Sequence, residues 1–187
     1  MNRLLLVVDP QIDFVNGSLP VPGAEAAMDG LAAYVAAHDG QYVAKVVTCD
    51  FHPHNHCSFN VNGGQWPEHC VAHSMGAAIW PVLLKSLHST SGKVDIVCKG
   101  QCSQVEEYSI FQNTESCKRI KSIVSKMCIE VIEICGLAGD ICVLHTLQDG
   151  VEIFGSEKFH VLEQFSPSID GGDILNRYMQ RLLPCTR

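Results

Sequence analysis

Five short apolar runs punctuate the chain: Leu4–Val8, Val43–Thr48, Val94–Cys98, Ile129–Cys135 and Phe159–Leu162. The first four are rich in Val, Ile and Leu and lack strict alternation, as strands covered on both faces of a parallel sheet do. Between them lie helical patterns. Ala24–Ala37 is Ala-rich and follows Pro22-Gly23, and Gly76–Leu87 carries Ile79, Leu83 and Leu87 on one stripe. Glu115–Lys126 leads into the fourth run, Asp140–Val151 aligns Leu144, Leu147 and Val151, and Asp173–Leu183 closes the series. Strand and helix alternate, so right-handed crossovers should build a three-layer α/β/α sandwich around a central, mainly parallel sheet.

Length and composition narrow the class. The chain has 187 residues, within the ~100–200 usual for one domain, and no linker or repeat divides residues 1–187. Its formal charge is −7 with no basic stripe, which argues against a nucleic-acid partner. No apolar run reaches the ~18 residues of a membrane span. Leu4–Val8 is too short for a signal-peptide core. Ten cysteines without an export signal or a C-x-x-C pair suggest a cytoplasmic, reducing setting in which most thiols are small buried hydrophobes.

In parallel α/β sheets, active groups collect beyond the carboxyl ends of the strands. The first run ends at Asp9, the second at Asp50 and His52, the third at Lys99, and the fourth leads through Gly136 to Cys142. A carboxylate, a metal-ligand pair, an ammonium and a thiol should therefore meet at one edge. Asp9, desolvated at a strand end, suits proton transfer, whereas Asp13 suits loop capping. Lys99 read alone is a solvated charge, and Cys142 read alone is a buried structural cysteine. Placed at a helix N-terminal turn near a cation, Cys142 is expected to be substantially ionised. Asp50 and His52 alternate along a strand end and face one side, with donors that suit Zn²⁺, Mn²⁺ or Fe²⁺. His69 would complete an open three-ligand site, but His54, His56 and His73 compete with it on composition.

Val8-Asp9-Pro10-Gln11-Ile12-Asp13-Phe14, Asp50-Phe51-His52-Pro53 with His56-Cys57-Ser58-Phe59, and Trp66-Pro67-Glu68-His69-Cys70 are followed by Lys99-Gly100, Tyr108-Ser109-Ile110-Phe111 and Gly136-Leu137-Ala138-Gly139-Asp140-Ile141-Cys142-Val143. In order and content this series resembles the nicotinamidases, members of the isochorismatase-like cysteine hydrolases. The resemblance spans residue 3 to about residue 165. It implies the isochorismatase-like hydrolase fold and hydrolysis of nicotinamide to nicotinate and ammonia in NAD salvage, with pyrazinamide as a related substrate.

Carried over by motif, Cys142 is the nucleophile that forms a thioester, Asp9 the proton carrier and Lys99 the group that positions both. The N–H groups of Ala138 and Cys142 form an oxyanion hole beside a cis peptide between Leu137 and Ala138. One divalent ion, Zn²⁺ before Mn²⁺ or Fe²⁺, is held by Asp50, His52 and His69 and contacts the pyridine nitrogen, with Ser58 as an additional ligand in some relatives. Phe14, Trp66 and Tyr108 wall the ring pocket. Homo-oligomers are common in the family.

Two positions depart from the pattern. Gly139 stands where Thr is common, so a looser turn is expected before Cys142. His73-Ser74-Met75 replaces a Gln-Gly-Thr-like stretch. The competing enzyme reading is a related cysteine hydrolase acting on another amide, ureido or carbamoyl substrate, and the complete metal motif counts against it.

Overall fold

The computed structural model describes residues 1–182. In chain order the elements are β1 (Arg3–Val8), the short α1 (Ile12–Val15), α2 (Ala24–Ala37), β2 (Tyr42–Asp50), α3 (Pro81–Ser89) and β3 (Lys93–Lys99). They continue with α4 (Thr114–Lys126), β4 (Val131–Gly136), α5 (Leu144–Phe154), β5 (Phe159–Val161) and α6 (Asp173–Leu182). Leu183, expected to end the last helix, lies outside the described residues.

All five strands pair in parallel, in the order β3-β2-β1-β4-β5. The central strand β1 feeds both layers by simple alternation. Leu5 and Val7 pack with Met28 and Leu31 of α2 and Leu83 and Leu87 of α3. Leu4, Leu6 and Val8 pack with Ile120 and Ile123 of α4, Leu147 of α5 and Leu175 of α6. Covering both faces explains why β1 reads as an unbroken apolar run. The chain fills one side of β1 first (β2, β3) and then the other (β4, β5). That reversal leaves a crevice at the carboxyl ends of β1 and β4.

Two helix starts differ from expectation. The stretch from Gly76 to Trp80 stays outside α3, which begins at Pro81. A proline ring lacks the N–H for an interior helix bond and excludes the residue before it from helical geometry, so it serves as the first helical residue instead. The helix expected from Asp140 begins as a wide π-type turn over Gly139–Val143 and becomes regular at Leu144. Such turns concentrate at functional positions.

Candidate active site

Asp9 sits immediately past β1 with φ 46°, a left-handed conformation that costs a non-glycine residue roughly 1–2 kcal/mol. Local bonds fix it there. Its N–H donates to the Thr48 carbonyl at 3.1 Å, and the Thr48 hydroxyl donates to Asp9 Oδ1 at 2.5 Å. Lys99 ends β3 directly opposite Asp50 of β2 in the sheet register. Its ammonium pairs with Asp50 Oδ1, lies 2.9 Å from Asp9 Oδ2 and lies 3.6 Å from Cys142 Sγ. Donor atoms of Asp9, Asp50 and Cys142 fall within 4.8 Å of one another. The ammonium already stands among them, so these three do not form a cation site.

Burial sets the protonation states, and specific neighbours then redirect them. Burial pushes the Asp9 carboxyl above its usual value, with Lys99 only partly offsetting it and Asp50 adding to the rise. Burial pushes Asp50 up too, but Lys99 and His52 overcome it and hold that carboxyl well below the usual range. Lys99, which burial alone would deprotonate more easily, is driven the other way by Asp50 and Asp9. Cys142 differs from expectation. Burial raises its thiol well above the ordinary value, Lys99 opposes this, and Asp9 and Asp50 reinforce it. Burial dominates that rise, and the thiol stands beside a carboxyl that burial has also pushed up.

Next to this group, one donor atom each from Asp50, His52 and His69 lie within 4.8 Å of one another, and all three residues are buried. The His52 ring is set by its Nδ1 contact to the Gly100 carbonyl at 2.9 Å. Gly100 has φ 69°, and a Cβ there would stand 2.3 Å from the ring, so only glycine lets the imidazole seat. With Nδ1 engaged, Nε2 carries the lone pair. It is buried and has no hydrogen-bond partner among the described residues. His69 is held similarly, Nδ1 lying 2.7 Å from the Pro67 carbonyl. Burial pushes the His69 imidazole down in pKa. In His52 burial acts in the same direction, but Asp50 reverses it. Two imidazole nitrogens and a carboxylate, one nitrogen orphaned, fit a divalent transition ion.

The competing histidines are placed elsewhere. His54 is exposed, 3.2 Å from Glu68, and His73 packs edge-on against Phe51. His56 stacks on His52, but its two nitrogens contact Ser58 Oγ at 2.7 Å and the Val105 carbonyl at 3.1 Å. Ser58 Oγ thus lies against His56 Nδ1, next to the three-ligand group.

A pocket opens over Asp50, His69 and Cys142. Phe14, Trp66 and Tyr108 line it, together with Asp50, His69, Ala138 and Cys142. Trp66 Nε1 donates to the Tyr108 hydroxyl at 3.1 Å, which ties two walls together. The Leu137–Ala138 peptide is cis. The Ala138 N–H donates to no described residue.

Several contributors were not anticipated. Gln11 bridges the β1 and β2 ends: its side chain accepts from Asp50 N at 2.7 Å and donates to Asp50 O at 2.8 Å. Thr48, a polar residue in an apolar strand two before Asp50, was a readable signal. Glu107, which accepts from Gly100 N at 2.7 Å, and Glu106, on the pocket wall, directly precede Tyr108 in its motif. Asp13 takes the structural role expected of it, accepting from Cys70 N and Ser18 N.

The fold and this site define a hydrolase of the isochorismatase-domain family, to which the chain belongs: that family's profile matches residues 3–153. Within the family, the similarity runs to nicotinamidases. The nicotinamidase/pyrazinamidase of Mycobacterium tuberculosis is 33% identical over 155 residues, covering 80% of this chain and 78% of that protein. The yeast nicotinamidase bound to the inhibitor nicotinaldehyde superposes with a TM-score of 0.81 at 25% identity, covering 96% of this chain and 95% of that one. The pyrazinamidase of Pyrococcus horikoshii in complex with zinc gives 0.77 at 28% identity, covering 97% and 94%. Among the described residues no helix is long and apolar enough to cross a membrane.

Proposed function

We propose that this chain hydrolyses nicotinamide to nicotinate and ammonia through a thioester on Cys142, with a divalent metal at Asp50, His52 and His69. The observation that carries the reading is a buried, unpartnered His52 Nε2 grouped with Asp50 and His69, two residues that share a pocket lining with Cys142. A thiol hydrolase of amides needs only the second group. A ring-bearing amide with a basic nitrogen makes use of both.

Asp9, made more basic by burial, takes the Cys142 proton as Sγ attacks the carboxamide carbon. The Ala138 and Cys142 N–H groups receive the developing oxyanion in this reading, a contribution of about 3 kcal/mol per donor where it has been measured. Asp9 returns the proton to the departing nitrogen, the C–N bond breaks, and ammonia leaves. Asp9 then takes a proton from water, the resulting hydroxide attacks the thioester, the C–S bond breaks, and nicotinate departs as the sulfur regains its proton. Throughout, Lys99 holds Asp9 and Asp50 in place.

When bound, the ion supplies a Lewis-acid template for the pyridine nitrogen and draws electron density from the ring. The mixed N/O donor set suits Zn²⁺ first, with Mn²⁺ and Fe²⁺ as the other candidates. Phe14, Trp66 and Tyr108 sandwich the ring. The test is ammonia release from nicotinamide by purified protein of known metal content, before and after chelation. Turnover lost on chelation and restored by Zn²⁺, Mn²⁺ or Fe²⁺ supports the reading. Turnover indifferent to chelation, or confined to ureido or carbamoyl compounds, overturns it.

A further inference from the structure

One wall of the pocket comes from the far end of the chain. The segment Ser166–Asp170, between β5 and α6, lies across the turn that carries Cys142. Three hydrogen bonds register the two. Gly139 N–H donates to the Pro167 carbonyl at 2.8 Å, and the Ile169 and Asp170 N–H groups donate to the two carboxylate oxygens of Asp140, each at 3.0 Å.

Gly139 makes this approach possible, because a Cβ there would lie 2.4 Å from both the Ser166 carbonyl oxygen and Ser168 Oγ. The missing side chain therefore does not loosen the turn, as its departure from the family pattern had suggested. The crossing segment fills the space. Asp140, Ser166 and Ser168 are all buried, whereas Ile169 is 48% exposed and turned onto the pocket beside Ala138, Ile141 and Cys142. Asp170 continues the connection, its carboxylate accepting from Gly172 N and Ile174 N at the start of α6.

We propose that Ser166–Asp170 sets the upper size of the group that can reach Cys142, with Ile169 as the specificity-determining contact and Asp140 as the residue that positions it. Small, flat heteroaromatic amides pass, and ring substituents on the Ile169 side are excluded. Asp140 does not line the pocket. Its effect is transmitted through two backbone N–H groups, so it acts by placement alone. The inference rests on Cys142 being the reacting group of the pocket.

The test uses one warhead at two sizes, iodoacetamide and N-benzyl-iodoacetamide. In either case the sulfur forms a bond to the methylene carbon, iodide leaves, and the thiol proton goes to solvent. Alkylation is read at Cys142 by peptide mass spectrometry, which separates it from the other cysteines. Ile169→Ala should raise the bulky-to-small rate ratio at Cys142 about tenfold, the scale on which apolar pockets sense a few methylenes. Asp140→Asn keeps the side-chain size but loses one of its two acceptors, and should raise the ratio about threefold. The double variant should fall short of the product of the two, since both act on one wall. An unchanged ratio in Ile169→Ala, or equal acceleration of both reagents, overturns the size limit. An unchanged ratio in Asp140→Asn overturns the positioning role. The labelling ratio does not depend on turnover. Protein that ignores nicotinamide yet shows the ratio change refutes the proposed reaction alone, and the converse result refutes this inference alone.

Discussion

Lys45 of β2 and Lys99 of β3 are equally sealed from solvent, and the protein treats them in opposite ways. Lys45 reaches the carboxyl end of α3, where its ammonium donates to Leu87 O at 2.6 Å, Thr90 O at 3.1 Å and Thr90 Oγ1 at 2.8 Å. All three acceptors are neutral and the helix end favours a cation, yet burial still lowers this lysine's pKa. Lys99 meets two carboxylates and a thiol, and its pKa rises instead. The first arrangement uses all three donors and leaves nothing to react. The second gives Asp9 Oδ2 only the Lys99 ammonium, 2.9 Å away, and leaves the neighbouring His52 Nε2 without a hydrogen bond among the described residues. Closed polar networks hold structure together, whereas groups left open at the same depth mark where chemistry can occur.

Substitutions on the two sides should separate these roles. Lys99→Met should have the largest effect, lowering kcat for nicotinamide by about 10³-fold, because Asp9 and Asp50 lose the charge between them. A kcat within tenfold of wild type would remove Lys99 from the mechanism. His52→Ala comes next. It should weaken metal binding by more than the roughly 10–100-fold contributed by outer partners of a ligand, as read by metal titration rather than turnover. Unaltered metal stoichiometry and affinity would relocate the ion.

Lys45→Met, in contrast, should leave kcat within about twofold while costing roughly 1–3 kcal/mol of stability in denaturant melts, since three acceptors lose their donor. If that variant were stable but inactive, the contrast between the two lysines would collapse. The exposed pair Arg119–Asp95 gives the smallest effect, under about 1 kcal/mol for Arg119→Ala. Its pH dependence has a definite sign. Burial would raise Asp95, but Arg119 and Lys93 lower it below the ordinary carboxylate value. A folded value below the unfolded one stabilises above about pH 4, and that contribution disappears as pH falls through the folded value. Wild type and Arg119→Ala should therefore differ at pH 7 and converge near pH 2. A constant difference would exclude the pair as its source.

The meeting of Asp9, Asp50, Lys99 and Cys142 at one sheet edge was legible because each follows an apolar run, and parallel strands all end on the same side. The five strands were legible for the same reason. The choice among histidines was not, since His54, His56, His69 and His73 differ only in what their ring nitrogens contact after folding. Nor was the upward shift of the Cys142 thiol, where the helix turn suggested a thiolate and burial acts the other way. The crossing of Ser166–Asp170 over Gly139 left no local pattern to read. It depends on a close approach between segments distant in the chain.

The central position of β1 also bears on how the chain is made. Arg3 to Val8 pair with β2 on one side and, on the other, with Val131 to Gly136, which leave the ribosome far later. Until those residues arrive, the most apolar strand of the protein keeps one hydrogen-bonding edge unpaired. Nascent chains that end before β4 should therefore depend on chaperones or aggregate. Made before the other four strands described, β1 is among the last to be enclosed, and Cys142, carried just beyond β4, emerges only once its enclosure can begin.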